Sequence, residues 1–250
     1  MATPLPLRPR SATEIVDAAF QLYRRDPLSY LLVSALCYAP ILVLQLVILG
    51  PSTPATAEVL SQAMSSTVIL ALGYWVSMSL MNAVIVRLAS EDYFGRRLEP
   101  AVAVRDAITR LPFVMFGLLL KYILMFVGFL LFIVGMLYMI ARYFAVTPCI
   151  MLEGRGVFTA FGRSAVLSRG QKLHILFTSF LAFLIFAVIY FAIVIIAAAT
   201  GSVVISTVLT VVASVLAYPL FAITEMLLYY DTRVRNEGFD IEMMAEGLSA

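Results

Sequence analysis

Apolar residues along this chain gather into blocks long enough to cross a bilayer, which takes about 20 helical residues. They fall at roughly 28–49, 63–89, 175–199 and 203–230, with a central run from Phe113 to Leu152 of forty residues. In charge terms only Lys121 and Arg142 interrupt that run, so it reads as two spans folded back on each other. The turn is placed near 133–135, where Gly135 divides it into equal halves. The pattern therefore predicts an all-α, polytopic membrane protein with six transmembrane helices.

Between the blocks the period changes. Ser11, Ala12, Thr13 and Glu14 form a capping box, a hydroxyl at the N-cap with a carboxylate three residues on. Beyond it Ile15, Val16, Ala19, Phe20 and Tyr23 recur at helical spacing, with Glu14, Asp17, Gln21 and Arg24 opposite. Such a helix is too short to cross and strongly two-faced, so it is expected to lie in the membrane interface. A second segment starts at Pro100, which suits a first helical turn. It sets Ala101, Val104, Ile108 and Leu111 against Arg105, Asp106, Thr109 and Arg110. A third sets Val157, Phe158, Phe161 and Ala165 against Arg163, Ser164 and Arg169.

The layout is a short amphipathic interfacial helix followed by a hairpin of spans, three times over, at about 11–89, 99–152 and 157–232. A Pro-rich basic tail precedes it (1–10), and a polar tail follows (233–250). Units that enter and leave on one side are related by an axis along the membrane normal. Two origins stay open, internal homology and coincidence of lead-in plus hairpin.

Composition agrees: 62% hydrophobic, 13% charged and mean hydropathy +1.00 lie far from a soluble domain. The net charge of +2 matters less than its placement. Fifteen of the 17 Lys and Arg fall on the side of the two termini and the second and fourth connections, and none on the other three connections. The positive-inside rule then puts both termini in the cytoplasm. Cys37 and Cys149 fall inside spans and read as small apolar side chains. The first apolar run is too long and begins too late for a cleavable signal peptide.

Catalytic chemistry has little to work with. The single histidine, His174, stands at a membrane border beside Lys172, and Gly154, Arg155 and Gly156 read as a turn. No catalytic residue, metal site, cofactor or nucleic-acid partner is expected. Lys121 and Arg142 are the anomaly, because a charge at mid-span costs on the order of 2.5–3.5 kcal/mol on insertion scales. Counted from Pro112 and Glu153 they lie about 14 and 16 Å deep. Glu225 is the one carboxylate inside a span, and Gln45 and Asn82 add hydrogen-bonding capacity.

Three readings of this cluster are open. A cation pairs with Glu225, or with backbone carbonyls freed by Pro40, Pro148 or Pro219, and fixes helix packing. Alternatively both cations line a cleft that receives an anionic group such as a lipid phosphate, or they mark a transport path. Smooth span interiors argue against the last. A second candidate site is the basic lead-in surface of Arg24, Arg25, Arg96, Arg97, Arg105, Arg110, Arg163, Arg169 and Lys172. Each is worth about 1 kcal/mol beside an anionic leaflet.

Three stretches carry a family resemblance. They are the opening Arg8-Pro-Arg-Ser-Ala-Thr-Glu-Ile-Val-Asp-Ala-Ala-Phe-Gln-Leu-Tyr-Arg24, the exit Ala145-Val-Thr-Pro-Cys-Ile-Met-Leu-Glu-Gly154, and the close Leu228-Tyr-Tyr-Asp-Thr-Arg-Val-Arg-Asn-Glu-Gly-Phe-Asp240. Together they resemble the membrane domain of bacterial glycerophosphodiester phosphodiesterases. In those enzymes a separate soluble barrel carries the chemistry, and nothing in this sequence is long or polar enough to be that barrel. The resemblance implies a non-enzymatic membrane module of the bacterial inner (cytoplasmic) membrane. The expected function is an accessory or scaffold role, associating with membrane lipids and with other membrane protein subunits. The alternative is a small transporter or lipid-handling protein with an anion-binding cleft at Lys121 and Arg142.

Overall fold

The computed structural model describes residues 6, 8–48, 57–239 and 241. Gly50, Pro51, Ser52, Thr53 and Pro54, which the sequence pattern marks as the turn closing the first span, lie outside them, as does nearly all of the C-terminal tail beyond 239. Among the described residues the elements are all helices: α1 (Ala12–Arg25), α2 (Pro27–Ile48), α3 (Ala57–Tyr93), α4 (Pro100–Leu130), α5 (Ile133–Arg142), α6 (Val146–Leu152), α7 (Val157–Leu167), α8 (Lys172–Ala199) and α9 (Val203–Glu237). Six stretches are long and apolar enough to span a membrane: Pro27–Val47, Ser66–Tyr93, Pro100–Leu130, Ile133–Leu152, Lys172–Ala199 and Val203–Glu237. The chain is thus an all-α membrane protein of six candidate spans.

α1 begins as its sequence dictates. Ser11 Oγ accepts from the Glu14 amide at 3.3 Å while Glu14 Oε2 accepts from the Ser11 amide at 2.7 Å. That backbone bond, with Arg8 alongside, pulls the Glu14 carboxyl down to about 2. The apolar stripe of α1 does not face lipid, however. Ile15, Ala19 and Leu22 are fully buried, and the helix packs on α8 and α9.

Two further elements differ from the pattern reading. The amphipathic stretch that begins at Pro100 is not a separate interfacial helix but the first turns of α4, which continues through Pro112. The turn of the central run falls at Leu131 and Phe132, with Phe132 at φ 92°, rather than at 133–135. Gly135 serves the helix contact instead. A Cβ added at Gly128 would lie 2.7 Å from the Gly135 carbonyl oxygen, so α4 and α5 touch backbone to backbone there. Only small residues permit that approach.

The packed core surrounds the C-terminal half of α9, where Ala222, Ile223, Met226 and Tyr229 are fully buried. α1, α6 and the last turns of α3 close around it. Charged residues tie this end together. Asp231 accepts from the Arg10 amide at 2.7 Å and from Arg235 Nε at 2.7 Å, with His174 Nε2 3.0 Å away. Glu153 accepts from Arg163 at 2.9 Å, from the Tyr229 hydroxyl at 2.9 Å and from Arg155. Burial alone would raise the Glu153 carboxyl, yet hydrogen bonds from Arg155, Arg163 and Tyr229 hold it below the ordinary carboxylate value. Away from this end the outward faces of α4, α5 and α8 are strongly apolar, with Phe126, Val134, Val188 and Ile195 exposed, as lipid contact requires.

Candidate functional site

Four helices surround a cavity of about 600 Å³. Its walls follow helical spacing: Leu176, Ser179, Phe183 and Phe186 on α8, Tyr218, Phe221, Glu225 and Leu228 on α9. Lys121, Tyr122 and Met125 of α4 and Met136, Leu137 and Ile140 of α5 complete the ring, with Met78 of α3 behind. The size falls inside the range of about 300–1,000 Å³ usual for small-molecule sites. The lining is aromatic and thioether-rich, and its charged members are Lys121 and Glu225.

These two bridge a gap that the helices themselves leave, since α4 and α9 scarcely touch. Lys121 Nζ lies 3.4 Å from Glu225 Oε1, with the side chains 15% and 10% exposed. Asn82 Nδ2 donates to Glu225 Oε2 at 3.3 Å and to the Tyr218 hydroxyl at 3.0 Å. Lys121 Nζ also donates to the Phe144 carbonyl at 3.4 Å. That carbonyl is free for a definite reason: it stands four residues before Pro148, whose nitrogen carries no hydrogen to return. Lys121 therefore has both kinds of partner the sequence offered, an acid and a proline-freed carbonyl.

Phe144 belongs to a break in the fourth span. α5 ends at Arg142 and α6 starts at Val146, leaving backbone groups of 143–145 outside any helix. Ser164 of α7 closes the break from the side. Its hydroxyl accepts from the Ala145 amide at 3.1 Å and donates to the Arg142 carbonyl at 3.0 Å. α6 beyond the break is buried from Val146 to Met151 among α3, α4 and α7.

The five residues singled out in the spans are thus divided. Lys121, Glu225 and Asn82 come together. Arg142 does not join them: its guanidinium donates to the Tyr138 hydroxyl at 2.7 Å and lies over the Tyr138 and Tyr143 rings. Lys172 Nζ sits 5.4 Å from the centre of the same Tyr138 ring. Gln45 is elsewhere again, bonded to the Tyr74 hydroxyl.

The basic surface divides too. Arg24, Arg25, Arg96, Arg97, Arg105 and Arg169 are exposed, whereas Arg110 lies against the turn at Gly154. Arg163 is held by Glu153 and Glu237, and the Glu237 hydrogen bond raises its already high pKa.

No family model, curated protein or solved structure matches the chain. Its chemistry is accordingly read from these side chains. Tyr218 was not singled out in the sequence, and Ser164, which the pattern sets on the polar face of the third amphipathic segment, is instead fully buried against the break. Tyr218 was findable, being two turns before Glu225 on the same face of α9, but nothing in the pattern marks Ser164 as the partner of a break twenty residues earlier.

Proposed function

We propose that the protein is a non-catalytic module of the bacterial inner membrane that holds an amphipathic lipid in the cleft between α4, α5, α8 and α9. The observation that carries this reading is the cleft itself, an apolar cavity among spans with one ion pair in its wall. Sites of that kind take ligands that are mostly apolar with a few fixed polar contacts. The module has both termini in the cytoplasm, as the placement of Lys and Arg supports. The exposed arginines at that face then meet the anionic leaflet. The resemblance to a membrane domain, in enzymes whose chemistry belongs to a separate barrel, supports an accessory role, and His174 is already engaged by Asp231.

The test is native mass spectrometry of the protein purified in mild detergent. Wild type is expected to retain a lipid, Ser179→Trp to lose it by filling the cleft, and Phe191→Trp on the outer face of α8 to keep it. Absence of lipid from wild type, or equal retention by all three, overturns the reading.

One observation favours transport as a second reading. Span 4 is discontinuous beside Lys121, and substrate sites of many transporters lie at broken helices. Movement of labelled lipid between leaflets of proteoliposomes, abolished by Ser179→Trp, would establish it; no movement above empty vesicles would remove it.

A further inference from the structure

We infer that the lipid held in the cleft has an uncharged head group bearing a hydroxyl, as in a diacylglycerol or a long-chain alcohol. This rests on the cleft being a lipid site and concerns which lipid it selects.

The charge of the wall decides first. Lys121 and Glu225 cancel, and Arg142, the second cation of the central run, is turned to Tyr138 and does not line the cavity. A phosphate or carboxylate entering here would meet one cation already paired and one anion that repels it. In a site screened from water that repulsion is strong.

Unused hydrogen-bonding capacity decides second. All three contacts among Lys121, Glu225, Asn82 and the Phe144 carbonyl are 3.3–3.4 Å, beyond the usual 2.7–3.2 Å range for N–H donors. The ammonium has a third N–H, and the carboxylate has lone pairs to spare. The site therefore offers a donor and an acceptor side by side. A hydroxyl accepts from Lys121 and donates to Glu225 through one oxygen, whereas an anion can only accept. A zwitterionic head brings two more full charges, and the remaining polar lining, Ser179, Thr224 and the Tyr122 and Tyr218 hydroxyls, is too sparse to solvate a phosphate. Along the rest of the cavity Met125, Met136, Phe180 and Phe183 give acyl chains a conforming wall.

The experiment is competition on the full chain in mild detergent. Equimolar dioleoylglycerol, dioleoylphosphatidylglycerol and dioleoylphosphatidylethanolamine are offered together, and the bound lipid is read by native mass spectrometry. Wild type is expected to hold dioleoylglycerol about tenfold over either phospholipid, a preference of about 1.4 kcal/mol. Glu225→Gln leaves the site with net positive charge and is expected to move the preference toward phosphatidylglycerol by about tenfold. Equal or stronger retention of a phospholipid by wild type overturns the head-group inference and leaves the cleft reading standing. Lipid binding that Ser179→Trp does not reduce overturns the cleft reading itself. If Glu225→Gln does not fold, the wild-type competition alone decides.

Discussion

Replacing Lys121 by methionine keeps an unbranched side chain one atom shorter and removes its charge. Glu225 is then left in the cleft wall with a side chain 10% exposed and Asn82 at 3.3 Å as its remaining hydrogen-bond donor. Breaking a buried ion pair by removing one partner costs about 3–5 kcal/mol. The lower half of that range applies, because the Nζ to Oε1 distance is long at 3.4 Å. The Phe144 carbonyl also loses its donor. Removing the acid as well, in Lys121→Met with Glu225→Leu, eliminates the uncompensated charge and leaves the Phe144 carbonyl and one Asn82 N–H unpaired, a loss of about 2 kcal/mol. The double variant should therefore be the more stable of the two, by about 1–2 kcal/mol. Equilibrium unfolding in mixed micelles measures this through Trp75, whose ring lies 5.6 Å from that of Tyr122, the residue beside Lys121. If Lys121→Met is within about 0.5 kcal/mol of wild type, or the double variant is no better than the single, the pair does not hold α4 to α9 as described.

Further expectations concern the hairpin, the break and the charged end. Gly135→Val forces a side chain into the α4 backbone and should destabilise by about 1–3 kcal/mol. Gly162→Ala, at an α7 position where a Cβ meets nothing within 4 Å, should be neutral or stabilising by up to about 1 kcal/mol in the same unfolding assay. Ser164→Ala strips the Ala145 amide and the Arg142 carbonyl of their partner, so it should cost about 1–3 kcal/mol and speed hydrogen exchange at the Ala145 amide. Glu153 has its carboxyl held down in the folded protein by Arg155, Arg163 and Tyr229 against the effect of burial. Its contribution is complete above the unfolded carboxylate pKa and is lost as pH falls through the lower folded value. Stability measured downward from pH 6 should fall more steeply in wild type than in Glu153→Gln.

The spans were legible because length and apolarity are properties of the run itself, and lipid admits a continuous apolar run of about 20 residues only as a helix. The capping box at Ser11 and Glu14 was legible for the same local reason. What the pattern misplaced depends on a second segment. Gly135 reads as a turn residue, yet its freedom is used for contact with Gly128, and the turn falls on Leu131 and Phe132. Pro112 reads as a boundary, yet α4 runs through it. The interior of span 4 reads as smooth, yet it breaks at 143–145, where Pro148 frees one carbonyl and a serine from α7 stabilises the gap.

The buried charges show the same limit. Lys121, Asn82 and Glu225 could be nominated because each is conspicuous within an apolar span. That Arg142 belongs with Tyr138 and Lys172 rather than with Lys121 follows from the break, which ends α5 at Arg142. The cavity was the least visible feature. Its walls are Met, Phe and Leu residues that any span contains, and their convergence is set by α4 and α9 standing apart.

The most direct measurement is an experimental density map of the full chain reconstituted in nanodiscs of native lipid. A lipid in the cleft is expected to give elongated density along Phe180, Phe183 and Met136, ending within hydrogen-bond distance of Lys121 Nζ and Glu225. A cleft closed by direct packing of α4 on α9, or one holding only water beside an intact Lys121–Glu225 pair, would contradict it.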